Sequence, residues 1–177
     1  SRYLFFYANY LISKNNFSKA KNIFKNIHPL NSTLLISQAK KWIDEENYEH
    51  IEKVFSCKSS RDVVGEFLFI ISNLYSEQEI EKSNFYFNLS NYLNPKFKFN
   101  LALLAENYYQ KGDFSKSENI LKNFGKRNEI YYWYRIKKIA QILEKKNKST
   151  KSFDYIKEEF NKIENPSVKM IYEMGNI

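Results

Sequence analysis

Residues 67–124 carry one pattern twice, offset by 34 positions. Phe67, Ile70, Ile71 and Leu74 precede a turn at Glu77 to Ile80, and Ser83, Phe87 and Ser90 follow it. Leu101, Leu104, Ala105 and Tyr108 stand in the corresponding places. They are followed by a turn at Gly112-Asp113-Phe114 and then by Ser117, Leu121 and Phe124. Spacings of three, four and seven put each set on one face of a helix. Each unit is thus two amphipathic helices joined by a short turn, and such a unit buries its apolar face only by stacking on neighbours. An all-α architecture of stacked helix pairs follows. With only four Gly and three Pro among 177 residues, few positions interrupt long helices.

The breaks fall where that reading needs them. Asn15-Asn16-Phe17, Glu46-Asn47-Tyr48 and Gln78-Glu79-Ile80 separate first from second helices, as Gly112-Asp113-Phe114 does. Gly112 takes a positive φ at no steric cost, and Asn15 and Asn47 are expected to take one at some cost. His28-Pro29, Asn94-Pro95 and Asn165-Pro166 lie between units, where proline ends one helix and opens the next. Ser18, Ser115 and Ser149 are expected N-caps. The expected count is eleven helices: five pairs and a final helix of roughly Ser167 to Asn176.

A helix-turn-helix unit recurring at 34 residues resembles the tetratricopeptide repeat, TPR. In that family two positions, one on each helix, lie where the helices cross most closely, and at least one must be small. The pairs at those positions are Ala8 with Ala20, Ala39 with Ile51, Ile71 with Ser83, Ala105 with Ser117, and Ala140 with Ser152. Their frames lie 31, 32, 34 and 35 residues apart. The resemblance covers nearly the whole chain. It implies one domain over residues 1–177: a right-handed superhelical solenoid of about five TPR-like hairpins plus a truncated sixth first helix. Residues 65–165 also look like one group of long bacterial TPR proteins, with a Leu93-Asn94-Pro95 turn and the stretch Tyr131 to Tyr134 opening a repeat. The chain starts and stops within helical pattern, and is read as a piece of a longer protein. Its expected compartment is the cytoplasm, or the periplasm where the parent chain carries a signal peptide.

In such a solenoid the first helices line a concave groove. The resemblance places Phe5, Ile36, Leu68, Tyr75, Phe99, Tyr109 and Tyr134 there as apolar anchors, with Lys137 and Lys145 as electrostatic guides. The expected function is a non-catalytic scaffold that holds a protein or peptide partner in that groove. The partner is not the C-terminal carboxylate that some TPR domains clamp. At the clamp positions, the first three repeats offer Phe5, Asn9, Ser37, Gly65 and Phe69, and the last three offer Leu68, Ser72, Leu103, Tyr134 and Lys138; neither set supplies the charges that carboxylate capture requires.

Charge raises a second reading. The net charge is +8, and residues 122–162 hold twelve basic and five acidic side chains. With Tyr131, Tyr132, Trp133 and Tyr134 interleaved, the segment Lys122 to Lys162 is an alternative RNA-binding surface. Confinement of the charge to one repeat favours a protein partner over nucleic acid or an anionic membrane surface. Self-association through the last helix, at Met170, Ile171 and Met174, is a further use of an apolar end. Catalysis finds no support: the Gly-rich phosphate loop, the His-Glu-x-x-His motif and the Gly-x-Ser-x-Gly elbow are all missing. A lone Cys57 and two distant histidines, His28 and His50, give no metal cluster, and no cofactor is expected.

Overall fold

The computed structural model describes residues 2–177, which are all-helical. Among the described residues there are eleven α-helices, one 3₁₀ turn (Pro29–Asn31) and no strand. The helices are α1 (Arg2–Ser13), α2 (Phe17–Lys25), α3 (Leu34–Asp44), α4 (Tyr48–Val54), α5 (Ser60–Tyr75) and α6 (Ile80–Leu93). After them come α7 (Lys98–Gln110), α8 (Phe114–Leu121), α9 (Glu129–Lys145), α10 (Ser149–Asn161) and α11 (Val168–Gly175). None of them is long and apolar enough to cross a membrane. Helices α1 to α10 pack as five successive pairs.

Side-chain oxygens open most of them. Asn16 accepts from the Lys19 N–H, Asp113 from Lys116 and Asn128 from Tyr131, while Thr33, Ser59 and Ser167 cap α3, α5 and α11. Ser18, Ser115 and Ser149, the expected caps, lie instead inside the first turns of α2, α8 and α10. At α2 and α8 the longer Asn16 and Asp113 side chains already serve the leading N–H groups two residues earlier.

Four of the five turns within pairs share one geometry. Asn15, Glu46, Gly112 and Asn147 take φ of 57°, 57°, 79° and 58°. The following N–H reaches back five residues each time: Asn16 to the Leu11 carbonyl (2.8 Å), Asn47 to Trp42 (2.7 Å), Asp113 to Tyr108 (2.9 Å) and Lys148 to Leu143 (3.0 Å). This is the closing bond of a Schellman cap. In the second pair the left-handed residue is Glu46 rather than Asn47, because Asn47 is already the N-cap of α4.

The α5–α6 turn is different. It has no left-handed residue, and closes with the Glu79 N–H on the Tyr75 carbonyl at 2.8 Å. Across α5 and α6 the meeting pair is Ser72 and Ser83, with the Ser72 hydroxyl donating to the Ser83 carbonyl at 2.7 Å. At two other crossings the bond runs the opposite way, from the second helix to the first: Ser117 donates to the Ala105 carbonyl (2.9 Å) and Ser152 to that of Ala140 (2.8 Å). Those pairs are twelve residues apart, but Ser72 and Ser83 are eleven apart. The α5–α6 turn, residues 76–79, is four residues long where the other four are three, and Ser72 stands at the crossing where Ile71 was expected, a one-residue shift that rolls α5 by about 100°. Ile71 therefore leaves the crossing, and Phe67, Ile70 and Leu74, expected in the core, are exposed. Gly65, Phe69 and Ser72 are buried in their place. Gly65 suits the new register: its carbonyl accepts from the Ser90 hydroxyl at 2.7 Å, and a Cβ there would sit 3.4 Å from the Ser90 carbonyl oxygen.

Three apolar clusters fill the interior. The first joins α1 to α4 around Phe5, Phe24, Ile43 and Phe55, and takes in Phe97 from just before α7. The second runs from α5 to α9 around Phe87, Leu104, Leu121 and Ile142. The third joins α9, α10 and α11 around Trp133, Ile136, Ile156 and Met170. Arg2 ties the first two together. Its guanidinium pairs with Glu66 of α5, donates to Asn100 of α7 at 2.9 Å, and lies 3.5 Å over the Phe69 ring. Farther along, α3 packs on α9 and α11 packs on the 3₁₀ turn, so early and late helices meet.

Candidate interaction cleft

Where α3 faces α9 and α11, a cleft of about 580 Å³ stays open. Its apolar lining comes from Leu34 at the start of α3, Ile130, Trp133 and Tyr134 in the first turns of α9, and Val168 and Met170 of α11. Capping fixes these residues. Asn128 and Ser167 start α9 and α11 immediately before the apolar side chains, so one face of each opening turn points into the cleft.

The rim carries both signs of charge. Lys41 pairs with Glu129 across the α3–α9 seam and lies 3.8 Å from Glu45. Lys40 pairs with Asp44 at 3.2 Å. On the far wall Glu173 accepts from the Trp133 indole at 2.7 Å and from Lys137 at 2.8 Å. Lys169 donates to the Ser32 carbonyl at 2.6 Å, pinning α11 to the 3₁₀ region. Burial pushes its ammonium below the ordinary lysine range, against the opposing pull of Glu173. Burial likewise raises the Tyr134 phenol, helped by Glu106, while its hydroxyl donates to the Ala102 carbonyl at 3.0 Å. An apolar floor between fixed charges of both signs can bury an apolar segment and orient it by its flanking charges.

The sequence-predicted anchors divide. Tyr134 and Lys137 line this cleft. Phe5 is completely buried and Ile36 nearly so, both in the first core cluster, and neither presents a surface to a partner in this conformation. Phe99 is packed between the first two clusters, its ring centroid 6.2 Å from that of Phe69. Leu68 and Tyr75 moved with the roll of α5: Leu68 is half-buried, and Tyr75 stacks on Tyr86 of α6 with ring centroids 5.8 Å apart. Tyr109 packs under the Lys138 ammonium, 4.2 Å from its ring. Lys145 is exposed at the far end of α9, outside the cleft.

Lys41, Glu129, Ile130, Trp133, Val168 and Glu173 were missed. They become neighbours only because α3 meets α9 and α11 returns to the 3₁₀ turn, and no local pattern encodes either contact. The aromatic run at residues 131–134 is a visible signal, which the sequence offers as the opening of a repeat, with Tyr134 as a groove anchor, and alternatively as an RNA-binding feature. In the structure Tyr131, Tyr132 and Trp133 are buried. Part of the nearby basic charge is paired: Lys138 with Glu106 (2.7 Å), Lys146 with Glu118 (2.8 Å) and Lys162 with Glu158 and Glu159 (both 2.7 Å). Tyr131 and Tyr132 are closed to base stacking by their burial, and Trp133 meets solvent only at the cleft. Of the residues named for self-association, Met170 is buried, Met174 is half-buried and Ile171 is exposed. Among the described residues no group of three or more His, Cys, Asp or Glu is placed to hold a metal ion.

Comparison with protein-family models, with curated proteins and with solved structures gives no match.

Proposed function

We propose that the chain is a TPR-like helical-repeat scaffold without catalytic activity, holding a segment of another protein in the cleft between α3, α9 and α11. The TPR-like part of this reading is supported by the five helix pairs, by small residues at their crossings, and by the Schellman turns spaced 31, 66 and 35 residues apart. The observation that carries the binding part is the cleft itself: an apolar floor of Leu34, Ile130, Trp133, Tyr134, Val168 and Met170, open to solvent and rimmed by charge. The partner segment that fits is short, apolar in its centre and carries charges of both signs on its flanks.

Capture from a native lysate tests this, comparing the wild type with Ile130→Asp/Val168→Asp and with Tyr92→Asp on the remote α6 surface. All three forms should melt alike, since Val168 and Tyr92 are well exposed and Ile130 is half-buried. The expected result is a protein retained by the wild type and by Tyr92→Asp, and lost from the cleft variant. Identical retention by all three rejects the cleft. A retained fraction that absorbs as nucleic acid and elutes with salt would favour the basic segment of residues 122–162 instead.

A further inference from the structure

Helix α5 is buried on one face only. It is sixteen residues long, yet buries just Gly65, Phe69 and Ser72. The corresponding helix of the next pair, α7, buries five of thirteen residues, and α9 seven of seventeen. The difference is in the neighbours. Both α7 and α9 pack against earlier helices as well as their own partners, whereas α5 packs extensively on α6 alone. The roll of α5 leaves apolar side chains facing water: Val63 is 44 % exposed, Val64 48 %, Phe67 60 %, Ile70 46 % and Leu74 74 %.

We infer that this face is a homodimer seam, in which α5 packs antiparallel against α5 of a second copy. Three observations select that occupant. First, Val63, Phe67, Ile70 and Leu74 are spaced four, three and four, the seam spacing of paired helices. The spacing is symmetric about a point between Phe67 and Ile70. A two-fold axis there sets Val63 against Leu74 of the second copy, and Phe67 against Ile70. An isologous contact requires such self-complementarity.

Second, the ends carry opposite charges. Lys58 precedes α5, and Glu77 and Glu79 follow it, all exposed. Lys58 and Glu77 enter no ion pair among the described residues, while Glu79 pairs locally with Lys82 at 2.5 Å. Antiparallel packing brings each Lys58 beside the Glu77 and Glu79 of the other copy and opposes the two helix dipoles. Parallel packing would set lysine against lysine and glutamate against glutamate.

Third, the area suffices. The exposed fractions of these five side chains amount to about 500 Å² of apolar surface per copy. Two copies would bury about 1,000 Å², where specific interfaces begin. The seam lies apart from the cleft, so it can form whether or not the cleft holds a partner.

Analytical ultracentrifugation of the whole chain over micromolar concentrations tests the seam. The wild type should sediment as a reversible dimer. Phe67→Glu and, separately, Leu74→Glu should each sediment as a monomer, with helical signal and melting unchanged. Lys58→Glu should weaken the dimer by about tenfold, since symmetry makes every substitution count twice. Adding Glu77→Lys to Lys58→Glu should restore it. A wild type that stays monomeric at the highest concentration overturns the inference, as does a dimer that survives both Phe67→Glu and Leu74→Glu. Failure of the charge swap to restore association overturns the antiparallel arrangement.

Discussion

Arg2 shows how much one side chain can hold. Its guanidinium is largely buried, which lowers its pKa against the raising effect of Glu66, and it joins α1 to α5 and α7. The Glu66 side chain is only 16 % exposed, so removing the arginine leaves a carboxylate with little water to replace it. Arg2→Met should therefore cost about 2 kcal/mol in urea unfolding, below the range for a fully buried pair, and Glu66→Gln in the same chain should recover part of that. Tyr132 makes a pH-dependent contribution. Burial, and then its hydrogen bond to the Glu159 carboxylate, push its phenol from 10.0 up to about 12. The folded value lies above the unfolded one, so the stabilisation is complete below pH 10 and is lost as pH rises toward 12. Urea midpoints should fall over that interval, and Tyr132→Phe should flatten the fall. Tyr131 and Tyr134, also raised by burial, would supply the slope that remains. Equal slopes in both proteins would mean that the Tyr132 hydroxyl ionises as readily in the folded chain as in the unfolded one.

At the level of elements, crossings and turns set the helix pairs. Ala105 is completely buried and its carbonyl accepts from Ser117, so the helices meet there without space for a longer side chain. Ala105→Leu should overpack that crossing and cost about 1–3 kcal/mol; an unchanged denaturation midpoint would show that α7 and α8 do not approach there. Glu46 is a turn residue carrying strain, with a φ of 57° that glycine adopts freely. Glu46→Gly should stabilise by about 0.5–1 kcal/mol, because the ion pair it gives up, with Lys21, is exposed and contributes little. The Ala105–Ser117 crossing was legible in the sequence because the 34-residue recurrence fixes which small residue faces which, whereas the left-handed residue of the second turn was expected at Asn47 and stands at Glu46. The roll of α5 was not legible. Ile71 and Ser72 are adjacent and both can stand opposite Ser83, so a one-residue shift of register leaves no local mark. That ambiguity displaced Leu68 and Tyr75 from the expected groove, while Tyr134 and Lys137, on α9 whose register held, line the cleft.

Across the whole molecule, the decisive contact is the one between α3 and α9, which periodicity alone does not specify. It bounds the cleft on one side, and the Lys41–Glu129 pair bridges residues 88 positions apart. Neither side chain is deeply buried, so the pair contributes little to stability, about 1 kcal/mol or less. Its influence on shape is larger, because the two helices otherwise meet over few side chains. Lys41→Glu places a new carboxylate beside Glu129 and Glu45, and like charges at that seam favour separation. The melting temperature should change little, while the radius of gyration from small-angle scattering should rise as α3 swings from α9. High salt should reduce the rise by screening the repulsion. The swap Lys41→Glu/Glu129→Lys should close the cleft again. If Lys41→Glu scatters like the wild type at low salt, apolar packing of Leu34 against α9 holds the seam, and the ion pair only decorates it.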